Sequence, residues 1–312
     1  MPDIASDQIC GARIISCVGG KYTVVYDDGG REAAIENITA KGAFRHEKIK
    51  PLPGDIVDLH YDGSVYTVNR VYDRKNSLIR PALANLDILY IVISCRSPDP
   101  VPVLADKITV LCEKNSIRPV IVVTKSELDP DEAKRIKSVY DKCGYDCFSV
   151  SCAENAGLDG LRDYIAGNKG TVSAFCGASG VGKSTLLNDL FPELDLSCET
   201  GEISEKIRRG RNTTRTVRLY RIFPSTYLAD TPGFSLLDFE KFTLCSKEEL
   251  PYMFAEFAPY LCKCKYTKCS HTKEDGCLII DAVKKGMIPR QRFDSYLCLY
   301  DAVKNIKDWN MK

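Results

Sequence analysis

No stretch of this 312-residue sequence is apolar for long enough to cross a membrane. The longest such run, around Ile88–Ile93, falls far short of the ~20 residues that a spanning helix needs. A membrane partner is therefore not expected. The opening residues, MPDIASDQIC, lack a basic segment followed by an apolar one, so no secretory signal is read. Net charge is nearly absent as well. With a formal value of +1, any polyanion must be met by a local patch rather than by the whole surface. There is no internal repeat and no low-complexity segment. Histidine is scarce, with three residues in the whole chain.

Cysteine, by contrast, is abundant. The fifteen cysteines are odd in number, and most are scattered singly along a long chain (Cys10, Cys17, Cys95, Cys112, Cys143, Cys176, Cys198). This differs from the dense framework of a small secreted disulfide scaffold, and a reducing cytoplasm is expected. Hydrophobic residues make up 44% and charged residues 27%, ordinary for a soluble chain long enough for two or three domains.

Three rhythms follow one another. Residues 1–75 carry short alternating strands broken by Gly-Gly and Asp-Gly-Gly turns, with two further strands in DIVDLHY and SVYTVNRVY. Five strands in this length suit a small barrel of the OB type. Residues 76–238 alternate strand and helix, which predicts an α/β domain. LDILYIVIS reads as a buried parallel strand, and a helix is framed by Asp129 as N-cap, Pro130 as first residue and Gly144 beyond its end. Residues 239–312 show little strand signal and read as a helical domain, with Ser246 and Glu249 spaced as a capping box.

Gly177-Ala178-Ser179-Gly180-Val181-Gly182-Lys183-Ser184, followed by Thr185, fits the phosphate-loop pattern G-x-x-x-x-G-K-[ST] at every fixed position. Backbone N–H groups of such a loop curl around phosphate oxygens. Lys183 reaches the β/γ-phosphates, and the Ser184 hydroxyl ligates Mg²⁺. Some fifty residues later, Asp230-Thr231-Pro232-Gly233 ends a second strand-like run. There Asp230 is expected to hold Mg²⁺ and the Gly233 N–H to meet the γ-phosphate. Between the two lies EKIRRGRNTTRTVRLY, a basic stretch in the position of a switch loop, where Thr213 or Thr214 supplies a hydroxyl to Mg²⁺. Its arginines also suit RNA phosphates.

Cys264, Cys269, His271 and Cys277 form C-x4-C-x-H-x5-C. Three thiolates and one imidazole make a closed, four-coordinate zinc set, structural rather than catalytic. Cys262 is a competing ligand by spacing alone. Lys263, Lys265, Lys268 and Lys273 surround the cluster and give it a basic surface suited to RNA.

The run VVTKSEL poses a puzzle, because Thr124-Lys125-Ser126-Glu127 resembles the N-K-x-D guanine-recognition signature yet precedes the phosphate loop. In this order the motifs resemble the circularly permuted, ribosome small-subunit-dependent GTPases of the RsgA type over nearly the whole chain. RKNSLIRP resembles that family's junction between barrel and GTPase domain, and CKYTKCSHTKEDGC resembles its zinc stretch. The resemblance implies an OB barrel, a permuted P-loop GTPase domain and a C-terminal zinc domain. It also implies base contacts from Thr124, Lys125 and Glu127 and from the Ser151-Cys152-Ala153 loop, which stands for the family's S-A-K element. The expected activity is slow GTP hydrolysis during late assembly of the small ribosomal subunit. The expected partners are GTP or GDP and the subunit's rRNA, with release on hydrolysis; a monomer is expected.

Three departures from that family stand out, at Thr124, Glu127 and Asn212, and Phe234 differs from Ras-like enzymes. Thr124 replaces Asn, and Glu127 replaces Asp on a stem one methylene longer, which weakens guanine preference. Asn212 replaces a commonly occurring His, and Phe234 follows DTPG where Ras-like enzymes carry a Gln that orients water. The rival readings are a nucleotide-gated RNA-binding module with little hydrolysis and an NTPase of relaxed base specificity.

Overall fold

The computed structural model describes residues 7–41, 44, 50–79, 82–194, 217–230 and 245–305, with the side chains of Ile79 and Asp230 excepted. The chain divides into two compact units. One gathers Met1–Asp87, Asn168–Ala174 and Leu194–Gly233; the other gathers Ile88–Gly167, Phe175–Glu193 and Phe234–Lys312.

In the first unit, β1 (Gln8–Val18), β2 (Lys21–Asp28), β3 (Arg31–Ala40), β4 (Ile56–Tyr61) and β5 (Tyr66–Val71) close a barrel. The pairs run β1–β2–β3–β5–β4 and back to β1, with only β3–β5 parallel. Alternation in the sequence sends Ile14, Val24, Ile38, Val57, Leu59 and Val68 to a common core. The RKNSLIRP junction follows as a short hairpin, β6 (Ser77–Ile79) with β7 (Ala82–Ala84). Its Arg74 grips the fully buried Asp55 carboxylate with two bonds of 2.7 and 2.8 Å. Asn76 exchanges two hydrogen bonds with the Leu86 backbone, which satisfies a buried amide.

The same unit holds β12 (Arg218–Phe223) and β13 (Thr226–Asp230), an antiparallel pair that the sequence reading had divided between a basic loop and a single strand. β12 pairs with barrel strand β1 at Ser16 and Arg218. β13 pairs in parallel with the start of β11 (Val172–Gly177).

The second unit is built on parallel strands in the order β10 (Asp146–Ser149), β9 (Arg118–Thr124), β8 (Ile88–Ser94), then the carboxyl end of β11. All seven residues of β8 are buried, as its unbroken apolar run requires of a strand covered on both faces. Around it lie α1 (Pro102–Lys114), α2 (Pro130–Lys142), α3 (Leu158–Gly167) and α4 (Lys183–Leu190). α2 starts as its sequence demands: the Asp129 carboxylate accepts the Glu132 N–H at 3.1 Å.

The C-terminal part contains two 3₁₀ turns, Leu250–Met253 and Ala255–Phe257, then α5 (Leu278–Lys284) and α6 (Arg290–Val303). The Ser246–Glu249 capping box forms, with Ser246 N–H to Glu249 at 2.9 Å and Glu249 N–H to Ser246 Oγ at 3.2 Å. It opens onto a 3₁₀ turn rather than an α-helix, because Pro251 has no N–H to continue the ladder. Leu250, Phe254, Phe257, Ile279 and Tyr296 form a core that includes Val110 of α1. No helix among the described residues is long and apolar enough to cross a membrane.

Candidate nucleotide site and metal centre

β11 ends at Gly177 and α4 begins at Lys183, so residues 177–184 are the strand-to-helix loop of a parallel sheet. A Cβ at Gly177 would lie 2.5 Å from the Val92 carbonyl oxygen of β8; only glycine lets the strands close here. Gly182, the N-cap of α4, sits at φ 92°, in the left-handed region that a side chain disfavours. The helix therefore presents its free N–H end to the loop, a ready site for an anion. Lys183 folds back over the loop, its Nζ donating to the carbonyls of Gly177 at 2.7 Å and Ala178 at 2.9 Å. Ser184 is half-buried, and Ser179, Gly180 and Thr185 are exposed.

Fifty-odd residues earlier in the chain, Thr124 closes β9 and meets the same loop. Its buried hydroxyl donates to the Val181 carbonyl at 2.6 Å. Lys125 donates through Nζ to the Gly180 carbonyl at 2.8 Å and also to the Ser97 carbonyl. Thr124 thus acts as a staple to the phosphate loop, a role its hydroxyl can fill without an amide. Glu127 points Oε2 into a buried position where it has no hydrogen-bond partner among the described residues. Ser151 is buried and its Oγ accepts the Glu154 N–H at 3.1 Å, holding the turn that carries Cys152 and the exposed Ala153. Burial, a hydrogen bond to Asp189 and the nearby charges of Asp189 and Glu127 push the Cys152 thiol up to about 12. It stays protonated at neutral pH. The segments around Thr124, Ser151 and Gly177 are thus gathered at the carboxyl ends of β9, β10 and β11, the edge where open α/β sheets take ligands.

Asp230 is the last residue of β13. Its side chain lies outside the described residues, as do Thr213, Thr214, Gly233, Asn212 and Phe234.

Cys264, Cys269, His271 and Cys277 present ligand atoms that all lie within 4.8 Å of one another. Cys264 Sγ is 3.6 Å from His271 Nδ1 and 3.9 Å from Cys277 Sγ, and His271 Nδ1 is 3.4 Å from Cys277 Sγ. A tetrahedral zinc with bonds of about 2.3 Å to sulfur and 2.0 Å to nitrogen spaces its ligands at roughly 3.5–3.8 Å, so the donor set fits that ion. Burial lowers the His271 pKa and favours the neutral imidazole that ligates metal. Burial likewise raises Cys269, to about 12, and Cys277, so these thiols ionise only against a cation. Glu274 braces the loop between ligands by accepting the Ser270, Thr272 and Lys273 N–H groups and the Ser270 hydroxyl. Cys262 is exposed, its Sγ 3.6 Å from Tyr252 Oη, and is not a member of the cluster.

Sequence reasoning missed one buried constellation. Arg292 of α6 is fully buried and donates to Glu256 at 2.7 and 3.2 Å, to Asp106 of α1 at 2.7 Å and to Thr109 at 3.0 Å. Tyr140 donates to the same Asp106 oxygen, and the guanidinium lies 4.7 Å from the Phe254 ring centre. Arginine in an otherwise amphipathic helix gives no signal of burial, since most arginines are exposed.

The family model described as RsgA GTPase matches residues 71–240. A relative from Ruminiclostridium cellulolyticum, named small ribosomal subunit biogenesis GTPase RsgA, is 35% identical over 302 residues, covering 96% of this chain and 95% of its own. A relative of the same name from Caldanaerobacter subterraneus subsp. tengcongensis is 37% identical, covering 94% and 95%. Among solved structures, YjeQ from Thermotoga maritima superposes with a TM-score of 0.80 at 28% identity, over 96% of this chain and 100% of that one. YloQ, described as a circularly permuted GTPase, gives 0.78 at 31% identity, over 98% and 99%.

Proposed function

Since this chain belongs to the RsgA GTPase family and is a GTP hydrolase, we propose that it acts in maturation of the small ribosomal subunit, binding the subunit's rRNA and leaving when GTP is hydrolysed. The observation that carries this reading is the meeting of Thr124 and Lys125 with Val181 and Gly180 across more than fifty residues of reversed motif order. A base-recognition loop stapled to a phosphate loop is a nucleotide site in either chain order, because a sheet is indifferent to which of its strands comes first.

In this reading Gly177–Thr185 cradle the phosphates. Lys183 leaves its two carbonyl partners for the β/γ-phosphates, and Ser184, Asp230 and Thr214 hold Mg²⁺, which neutralises charge on the transferred phosphoryl group. Thr213 and Gly233 complete the catalytic set around the γ-phosphate. Lys125 covers the base, Glu127 accepts from guanine with its unpartnered oxygen, and the Ser151–Ala153 loop closes the base pocket. Chemistry is positioning and electrostatics with no covalent intermediate. Zinc on Cys264, Cys269, His271 and Cys277 is structural. The domains are assigned as 1–75, 76–238 and 239–312, the chain works as a monomer, and its place is the cytoplasm.

With Asn212 and Phe234 at the water-orienting positions, the intrinsic rate is slow and the subunit accelerates it. Single-turnover hydrolysis with GTP and with ATP, in the presence and absence of purified small subunits, tests this. Stimulation with GTP alone is expected. A rate unmoved by subunits would leave the nucleotide-gated RNA-binding module as the better account, and near-equal GDP and ADP affinities would reject guanine selectivity.

A further inference from the structure

Within the first unit, an open cleft of about 450 Å³ lies between the barrel and the β12–β13 hairpin. The strand register accounts for it. β1 meets β12 at Ser16 and Arg218, and the same antiparallel register carried on along both strands would set Arg13 against Arg221. Like charges facing each other across a ladder are destabilising, and both arginines line the cleft instead. Arg221 is matched by Glu32 at 3.4 Å. Arg13 donates through Nη1 to the Gly54 carbonyl at 3.3 Å and lies 5.4 Å from the Tyr227 ring centre, yet among the described residues no carboxylate comes within ion-pair distance of it. Burial lowers its pKa from the ordinary arginine value, the mark of a charge drawn away from water. Such a guanidinium calls for an anion.

We propose that this cleft binds a small zwitterion of the α-amino-acid class, its carboxylate on Arg13 and its ammonium on Asp27 beside Glu32. The charged residues lining the cleft are Arg13, Arg221, Asp27 and Glu32, so it is neutral as a whole but divided in sign. A neutral ligand of divided sign matches it, whereas a phosphate dianion would meet the two carboxylates as well as the arginines. With Nη1 given to Gly54, the remaining edge of the Arg13 fork can take a carboxylate through two parallel N–H bonds. Asp27 spends one oxygen on the Gly30 N–H at 2.8 Å and has a second for an ammonium. Val25 and Ile56 supply apolar wall for a side chain. A ligand seated here touches the barrel and, at Tyr227, the strand that ends at Asp230. The site is independent of the proposed ribosomal role.

The test is ligand-observed saturation-transfer NMR of the full chain with each standard α-amino acid supplied singly. Saturable binding by at least one is expected, with its deaminated acid and its decarboxylated amine each weaker by about tenfold or more. Arg13→Leu is expected to weaken that amino acid roughly 10- to 150-fold, the worth of a charged hydrogen bond. Asp27→Asn, at an exposed position, is expected to weaken the amino acid by a similar factor and to leave the deaminated acid unchanged, a split that a merely structural role does not produce. If Arg13→Leu fails to fold by circular dichroism, Arg13→Lys, which keeps the charge and loses the fork, takes its place. No saturable binding by any amino acid, wild-type affinity in the Arg13 and Asp27 variants, or equally tight binding of inorganic phosphate would overturn the proposal.

Discussion

Arg292 is among the largest fully buried side chains of the described residues, and it is the one that carries a charge. Its guanidinium is buried from water, and two carboxylates and one hydroxyl replace the hydration it has lost. Removing it would leave Asp106 and Glu256 charged and unpaired in the interior, which costs about 3–5 kcal/mol. Arg292→Met is therefore expected to lower stability by that order, read as a fall in the urea midpoint. Arg292→Lys should recover little, since a point charge cannot bond Glu256 through two nitrogens and reach Asp106 as well. At the candidate nucleotide site, Thr124→Val orphans the Val181 carbonyl and removes the staple. A buried unsatisfied group costs about 1–3 kcal/mol, so GDP affinity is expected to fall about 5- to 150-fold by calorimetry. Glu127→Gln removes the acceptor-only carboxylate, and the ratio of GDP to ADP affinity should fall about tenfold or more if that oxygen reads guanine.

At the scale of elements, the β12–β13 hairpin is held to the barrel by more than its pairing with β1. Tyr227 of β13 donates to Glu32 of β3, Arg221 of β12 lies 3.4 Å from the same carboxylate, and the Arg13 guanidinium of β1 lies 5.4 Å from the Tyr227 ring centre. β13 runs directly into Asp230, so two barrel residues, Glu32 and Arg13, steady the strand that delivers it. Tyr227→Phe is expected to cost about 1–2 kcal/mol. Burial, followed by the hydrogen bond to Glu32, raises the Tyr227 pKa above its ordinary value near 10. The neutral phenol is the form the fold favours, so its stabilising contribution is complete below pH ~10 and is lost as pH rises toward the folded value. The decline in urea midpoint above pH ~10 should be shallower in Tyr227→Phe than in wild type, and identical slopes would show that the latch contributes nothing.

At the scale of the molecule, the metal centre is expected to be a condition of folding for the C-terminal part. Cys277 is the N-cap of α5, and Tyr296 of α6 donates to Ser270 within the ligand loop at 2.6 Å, so the cluster ties together both final helices. Stripping zinc with a strong chelator should reduce helical circular dichroism and expose Phe254 and Phe257 to a hydrophobic dye, with recovery on adding zinc. Cys277→Ser should behave like the stripped protein, whereas Cys262→Ser should not, because Cys262 lies outside the cluster.

What the sequence determined by itself were the features whose chemistry is local: the glycines and lysine of residues 177–184, the Asp129–Pro130 start of α2, the barrel's alternation, and a Cys/His spacing that suits a metal-ligand set. VVTKSEL resembles a base-recognition loop despite its two substitutions, because strand, lysine and carboxylate keep their spacing. What only tertiary structure decided was which distant residues share a carboxylate or a carbonyl. Thr124 turned out to bond the phosphate loop, Cys262 to stand apart from its neighbours, and RLYRIF to be a strand stapled to the barrel. Arg292 turned out to be the centre of a core. Apart from Cys262, these depend on partners dozens to nearly two hundred residues away, and no local propensity records a partner that the chain has yet to meet.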